Sequence, residues 1–114
     1  MVRGTGRRAL VTGAGGFIGH HLVTYLKANG FWVRAADIRQ AEFEASPADD
    51  ITPFDLRDIR NCEHAVDGVE DVYQLAADMG GIGYITSNFA ALSRNNVLIN
   101  ANMLEASRAA GVKR

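Results

Sequence analysis

Residues 8–22 read RALVTGAGGFIGHHL: an apolar triplet, Ala9-Leu10-Val11, then glycines at 13, 15, 16 and 19. An apolar run without polar alternation is what a central parallel strand, buried on both faces, requires. After Gly16 the period changes. Ile18, Leu22 and Leu26 fall four apart, Val23 and Tyr25 widen the stripe, and Asn29-Gly30 supplies a left-handed stop. The stretch therefore reads as strand, glycine-rich turn and a helix of about four turns. Glycines concentrated in such a turn keep side chains off the backbone, which matters when another group must approach it closely.

Three roles follow from the spacing Gly13-x-x-Gly16-x-x-Gly19, which departs from Gly-x-Gly-x-x-Gly because position 18 is Ile. Gly13 makes the tight turn, Gly16 admits a pyrophosphate, and Gly19 lets helix pack closely on strand. Free amides at the helix N-terminus would meet the phosphates. A glycine-rich turn with no ligand is the plainer alternative. Asp37 weighs against it: it stands at the end of the second predicted strand, where a carboxylate accepts hydrogen bonds from the adenosine ribose hydroxyls of a dinucleotide. A 2'-phosphate there meets a like charge, which favours NAD over NADP. Arg39, two residues on, could aim at a phosphate and weakens that preference.

The rest of the chain extends the pattern. FWVRAAD (31–37) is a second strand and QAEFEASPADD (40–50) a polar loop. ITPFDLRD (51–58) is a weaker third strand that Pro53 confines to an early or edge position. DIRNCEHAVDG (58–68) is a short helix with Asp58 as cap, Ile59, Cys62 and Val66 inward, and Gly68 past its end. DVYQLAA (71–77) is the fourth strand, DMGGIGYI (78–85) a second glycine-rich stretch, and a long helix runs from about Asn88 to Ala110 with the stripe Val97, Ala101, Leu104. The alternation predicts an α/β fold, a doubly wound parallel sheet of about four strands and three helices without internal repeats.

Composition sets the bounds. The 114 residues suit one domain, and a formal charge of −1 without like-charge blocks points to neither nucleic acid nor a membrane surface. The single cysteine, Cys62, excludes an internal disulfide, and no apolar run approaches a membrane span, so a cytoplasmic location is expected. His20, His21 and His64 have no metal-ligand spacing with Cys62 and read as helix surface or edge residues, and Cys62 as a packing residue. Phe17, Phe31 and Trp32 read as packing. Of Asn95, Asn96, Asn100 and Asn102, one is expected to be functional and three to be helix surface or helix contacts.

Glycine loop, Asp37 and the DLRD of residues 55–58, taken in order, resemble the N-terminal part of an extended short-chain dehydrogenase/reductase of the NAD-dependent epimerase/dehydratase family. The resemblance implies a Rossmann-type fold and NAD held by Gly13, Gly16, Phe17, Ile18, Gly19 and Asp37. It also implies adenine at Asp55 with the Leu56 backbone, phosphate and ribose along Leu75-Ala76-Ala77, and a contact from Asn95 in RNNV. LAADMGGIGYITSNFA (75–90) is similar, more narrowly, to epimerases of GDP-mannose, implying a GDP-mannose-like nucleotide sugar at Gly80 and Gly81. The loop from Ile38 to Asp49 departs from that pattern, being shorter than in those epimerases and keeping little of their sequence. The resemblance also implies a homo-oligomer.

Such enzymes work by transient hydride transfer to and from NAD and need a Ser or Thr on the next strand and a Tyr-x-x-x-Lys. Neither Tyr25, Tyr73 nor Tyr84 has a lysine four residues on. No catalytic residue is therefore assigned within the chain. The catalytic and substrate part is expected downstream of Arg114, as strand five onward. Two alternatives stand beside this: a free-standing, non-catalytic NAD-binding module, and a nucleotide-sugar dehydratase or reductase of the same family.

Overall fold

A computed structural model describes residues 6–37, 46–53, 55–76 and 89–114. In chain order the elements are β1 (Arg8–Thr12), α1 (Phe17–Ala28), β2 (Trp32–Ala36), β3 (Asp50–Thr52), α2 (Ile59–Val66), β4 (Asp71–Gln74) and α3 (Phe89–Ala110). The four strands form one sheet in the order β3-β2-β1-β4, with every pairing parallel. The predicted Rossmann-type architecture is the one observed.

The apolar run at β1 is explained by its neighbours. Successive side chains of a strand point to opposite faces, so Leu10 joins Leu56, Cys62, Val66, Ile99, Met103 and Ala106, the core beneath α2 and α3. Ala9 and Val11 join Val23, Leu26, Phe31 and Val33, the core beneath α1. Each fully buried aliphatic side chain of this kind contributes about 1.5–3 kcal/mol. The sheet is thus covered on both faces, which is why no polar residue interrupts the run.

Helix ends follow their local signals. Gly30 takes φ +85° after α1, and Gly68 and Gly111 take φ +76° after α2 and α3. The Asp58 carboxylate accepts from the Arg60 amide at the start of α2, a cap worth about 1 kcal/mol.

Several expectations need correction. The predicted stripe of α3 faces away from the core: Val97 is 68% and Leu104 75% exposed, while Ile99, Met103 and Ala106 are buried. Both sets satisfy a three-and-four spacing and lie on opposite sides of the helix, so periodicity alone could not choose between them. Phe17 and Ile18 are 71% and 70% exposed at the first turn of α1, outside the core, with the Phe17 ring edge-on to His21 at 4.6 Å, whereas His20 is buried. Ile59 lies at the rim of its helix, with Cys62, Ala65 and Val66 beneath. The third strand ends at Thr52, before Pro53, and holds the sheet edge; the fourth ends at Gln74 rather than Ala77.

The outer edge of β4 is covered at its start. Arg114 donates its amide to the Glu70 carbonyl (3.3 Å), and its carbonyl accepts from the Val72 amide (2.7 Å). This is the pattern of a residue paired in parallel opposite Asp71.

Candidate active-site crevice

Register aligns the carboxyl ends of the strands, since Thr12 pairs with both Ala36 and Gln74, and Ala36 with Thr52. The segments leaving those ends therefore meet along one edge. They are the glycine turn after β1, Asp37 after β2, Asp55-Leu56 after β3, and Leu75-Ala76 after β4. In open α/β sheets ligands bind in the crevice outside the carboxyl ends, where strand order reverses. Here that reversal lies between β1 and β4.

The glycines have distinct surroundings. Gly13 has φ +67°, and a Cβ there would stand 2.7 Å from the Leu75 carbonyl carbon and oxygen, so the segment that follows β4 leaves no room for a side chain. A Cβ at Gly19 would stand 2.2 Å from the Gly13 oxygen, so this glycine packs α1 against the turn itself rather than against the strand. At Gly16 the nearest atom to a Cβ would be the Gly13 oxygen at 3.4 Å, so the fold leaves this glycine comparatively open. Gly16 is also the N-cap of α1 and no side chain caps it, although the first amides of a helix lack intrahelical acceptors. An open backbone before uncapped amides fits a phosphate.

Asp37 is held on this turn, its carboxylate accepting from the Gly15 amide at 2.8 Å. Its own amide donates to the Thr52 carbonyl at 3.2 Å. Asp55 is paired to Arg57 through both carboxylate oxygens, the shortest contact being 2.7 Å, and accepts from the Arg57 amide at 3.0 Å. The Arg57 hydrogen bonds hold the Asp55 carboxyl below the usual carboxylate range.

Leu56 is buried, and its carbonyl accepts from the Cys62 thiol at 3.2 Å. Burial, foremost, pushes that thiol up to about 11, so Cys62 is a packing residue and not a nucleophile. Leu75 is exposed and Ala76 half-buried. Asn95 is half-buried on α3, two turns before Asn102 on the same side. Ala77, Gly80 and Gly81, like Arg39 and Tyr84, lie outside the described residues.

One residue that sequence reasoning passed over ties the crevice together. The buried Thr12 hydroxyl accepts from the Leu75 amide (3.0 Å) and the Ala76 amide (3.2 Å) and donates to Gln74 Oε1. A threonine ending an otherwise apolar central strand was the available clue, because a buried hydroxyl needs partners. Among the described residues, no group of three or more His, Cys, Asp or Glu could hold a metal ion, and no helix is long and apolar enough to cross a membrane.

Comparison with known proteins agrees with this geometry. The family model "NAD dependent epimerase/dehydratase family" matches residues 9–114. The chain is 45% identical over 109 residues to GDP-mannose 3,5-epimerase 1 of Oryza sativa subsp. japonica, covering 94% of this chain and 29% of the relative. It is 36% identical over 110 residues to a 3 beta-hydroxysteroid dehydrogenase/Delta 5→4-isomerase of Mycobacterium tuberculosis, covering 94% and 30%. Among solved structures, the UDP-glucose 4-epimerase of Thermus thermophilus in complex with NAD superposes with a TM-score of 0.78 at 31% identity, covering 92% of this chain and 35% of that one. The chain thus spans about a third of the length of these relatives. With its sheet order, its glycine turn and a family match over nearly its whole length, the chain belongs to the NAD-dependent epimerase/dehydratase family.

Proposed function

We propose that this chain is the NAD-binding portion, one domain over residues 1–114, of a cytoplasmic nucleotide-sugar epimerase acting on a GDP-mannose-like sugar. The observation that carries the reading is the joint placement of Asp37 and Gly16 at the mouth of the β1 turn. In this reading the pyrophosphate would be held at the open Gly16 and the amides of Phe17 and Ile18, with Gly13 and Gly19 shaping the turn; Asp37 would hold the adenosine ribose, and Asp55 and Leu56 the adenine. Leu75, Ala76, Ala77 and Asn95 line the remaining side. Bound NAD supplies a reversible hydride acceptor; this chain's residues bind and orient it. The acid/base groups belong to a continuation of the chain, so the 114 residues alone turn over no sugar.

The sugar assignment, with Gly80 and Gly81 as its contacts, is supported by the likeness to GDP-mannose 3,5-epimerase. The likeness to a hydroxysteroid dehydrogenase favours a second reading, a dehydrogenase of the same family with a different substrate. A homo-oligomer belongs to the same reading and rests on the family likeness. Calorimetric titration with NAD and NADP tests the core of the reading. Tighter binding of NAD is expected, and absence of binding overturns it. With a longer chain, epimerisation of GDP-mannose against oxidation of a sterol separates the two substrate readings.

A further inference from the structure

The long helix reaches both ends of the crevice. Asn102 Nδ2 donates to the carbonyls of Leu56 (3.2 Å) and Arg57 (3.1 Å), the turn that carries Asp55. Asn100 Oδ1 accepts from Gln74 Nε2 at 3.0 Å, and the same Nε2 donates to the Ala76 carbonyl at 3.0 Å. At about 100° per residue, Asn100 and Asn102 fall on either side of the buried stripe of Ile99, Met103 and Ala106. One rigid element therefore holds the turn after β3 with one side chain and the end of β4 with another.

The hydrogen-bond inventory makes the Gln74 link directional. A threonine hydroxyl has one proton and two lone pairs. The amides of Leu75 and Ala76 take the lone pairs of Thr12, which leaves its proton for Gln74 Oε1, the nearer of two acceptors, the other being the Tyr73 carbonyl at 3.5 Å. That leaves the Gln74 NH2 to face Ala76 and Asn100, as observed. Both ends of the Gln74 amide are engaged, and an apolar residue at 74 would leave the hydroxyl proton to turn toward the Tyr73 carbonyl at 3.5 Å.

We propose that Asn102 and Gln74 are positioning residues, Asn102 setting the adenine end of the crevice and Gln74, through Asn100 on α3, setting the Leu75-Ala76 end. This rests on the NAD-binding reading above, and it extends that reading to residues that do not themselves touch the cofactor. The two roles separate by ligand. AMP occupies only the adenosine end, whereas NAD spans both.

The test measures dissociation constants for NAD and AMP on the 114-residue chain and on its Asn102→Leu and Gln74→Leu variants, with melting curves alongside. Asn102→Leu is expected to weaken both ligands by a similar factor, about tenfold, and Gln74→Leu to weaken NAD by about tenfold while AMP stays within about twofold. A variant that loses its cooperative melt is replaced by Asn102→Asp or Gln74→Glu, which keep size but set a carboxylate oxygen against the carbonyls; the same split is expected. Equal loss of both ligands in the Gln74 variants, or no loss in either series, overturns the proposal while the NAD reading stands. A parent chain that binds neither ligand overturns both.

Discussion

Asp37 Oδ2 lies 2.8 Å from the Gly15 amide, so the carboxylate at the end of β2 is bonded to the very turn it faces. The bond orders the glycine turn, and in the proposed NAD-binding reading the same carboxylate faces the ribose. Asp37→Ala is expected to weaken NAD more than NADP, because only NADP brings a like charge to that position. Titration of both cofactors checks this, and a parallel loss of the two would leave Asp37 with the loop-ordering role alone.

Gly16 and Gly19 should fail in different ways. Gly16→Val is expected to leave a cooperative melt and to lower NAD affinity by at least about tenfold, since the added bulk occupies the approach to the turn. Gly19→Ala places its methyl 2.2 Å from the Gly13 oxygen, and the overpacking is expected to cost about 1–3 kcal/mol. Chemical denaturation paired with titration separates the two. If Gly19→Ala is as stable as the parent, α1 has room that this packing denies.

The ion pair of Arg7 with the buried Asp71, at 2.7 Å, anchors the segment before β1 to β4. Removing one partner strands the other, so Asp71→Asn is expected to lower stability by about 1–3 kcal/mol, discounted because Arg7 is partly solvated. A double-mutant cycle with Arg7→Met measures the pair, and a coupling near zero would show that solvent screens it fully.

Cys62 carries a pH signature. Its thiol is pushed up to about 11 by burial first and by the acidic groups around it second, so the folded state keeps its proton at a pH where the unfolded chain has lost it. The sign follows: the contribution to stability is complete below about pH 9 and is lost as pH rises toward 11. Stability of the parent should fall more steeply across that window than that of Cys62→Ala. The folded parent should also resist thiol reagents at pH 8; prompt labelling without unfolding would contradict the burial.

Residues 112–114 should act as a cover for the sheet edge. Deleting them removes the bonds of Lys113 and Arg114 to Glu70 and of Val72 to Arg114, and bares a strand that can pair with another chain. Lower melting temperature and self-association in sedimentation are expected. A deletion that stays monomeric and equally stable would mean that the edge is protected elsewhere.

The sequence by itself determined the order of elements, the parallel sheet and the glycine turn between its first strand and first helix. Those depend on local rules: an unbroken apolar run at Ala9-Leu10-Val11, positive-φ glycines at helix ends, and a glycine turn between strand and helix. It could not decide which side of α3 is buried, because Val97-Ala101-Leu104 and Ile99-Met103-Ala106 have the same period. Only the docking of that helix over Leu10, Leu56 and Cys62 chose the second set. The same holds for Thr12, Gln74 and Asn102, whose partners lie 45 to 63 residues away for the bonds to Leu75, Thr12 and Arg57. Hydrogen bonds across that separation have no local signature; they exist because the strands register and the helix packs, and they came into view only once the chain was folded.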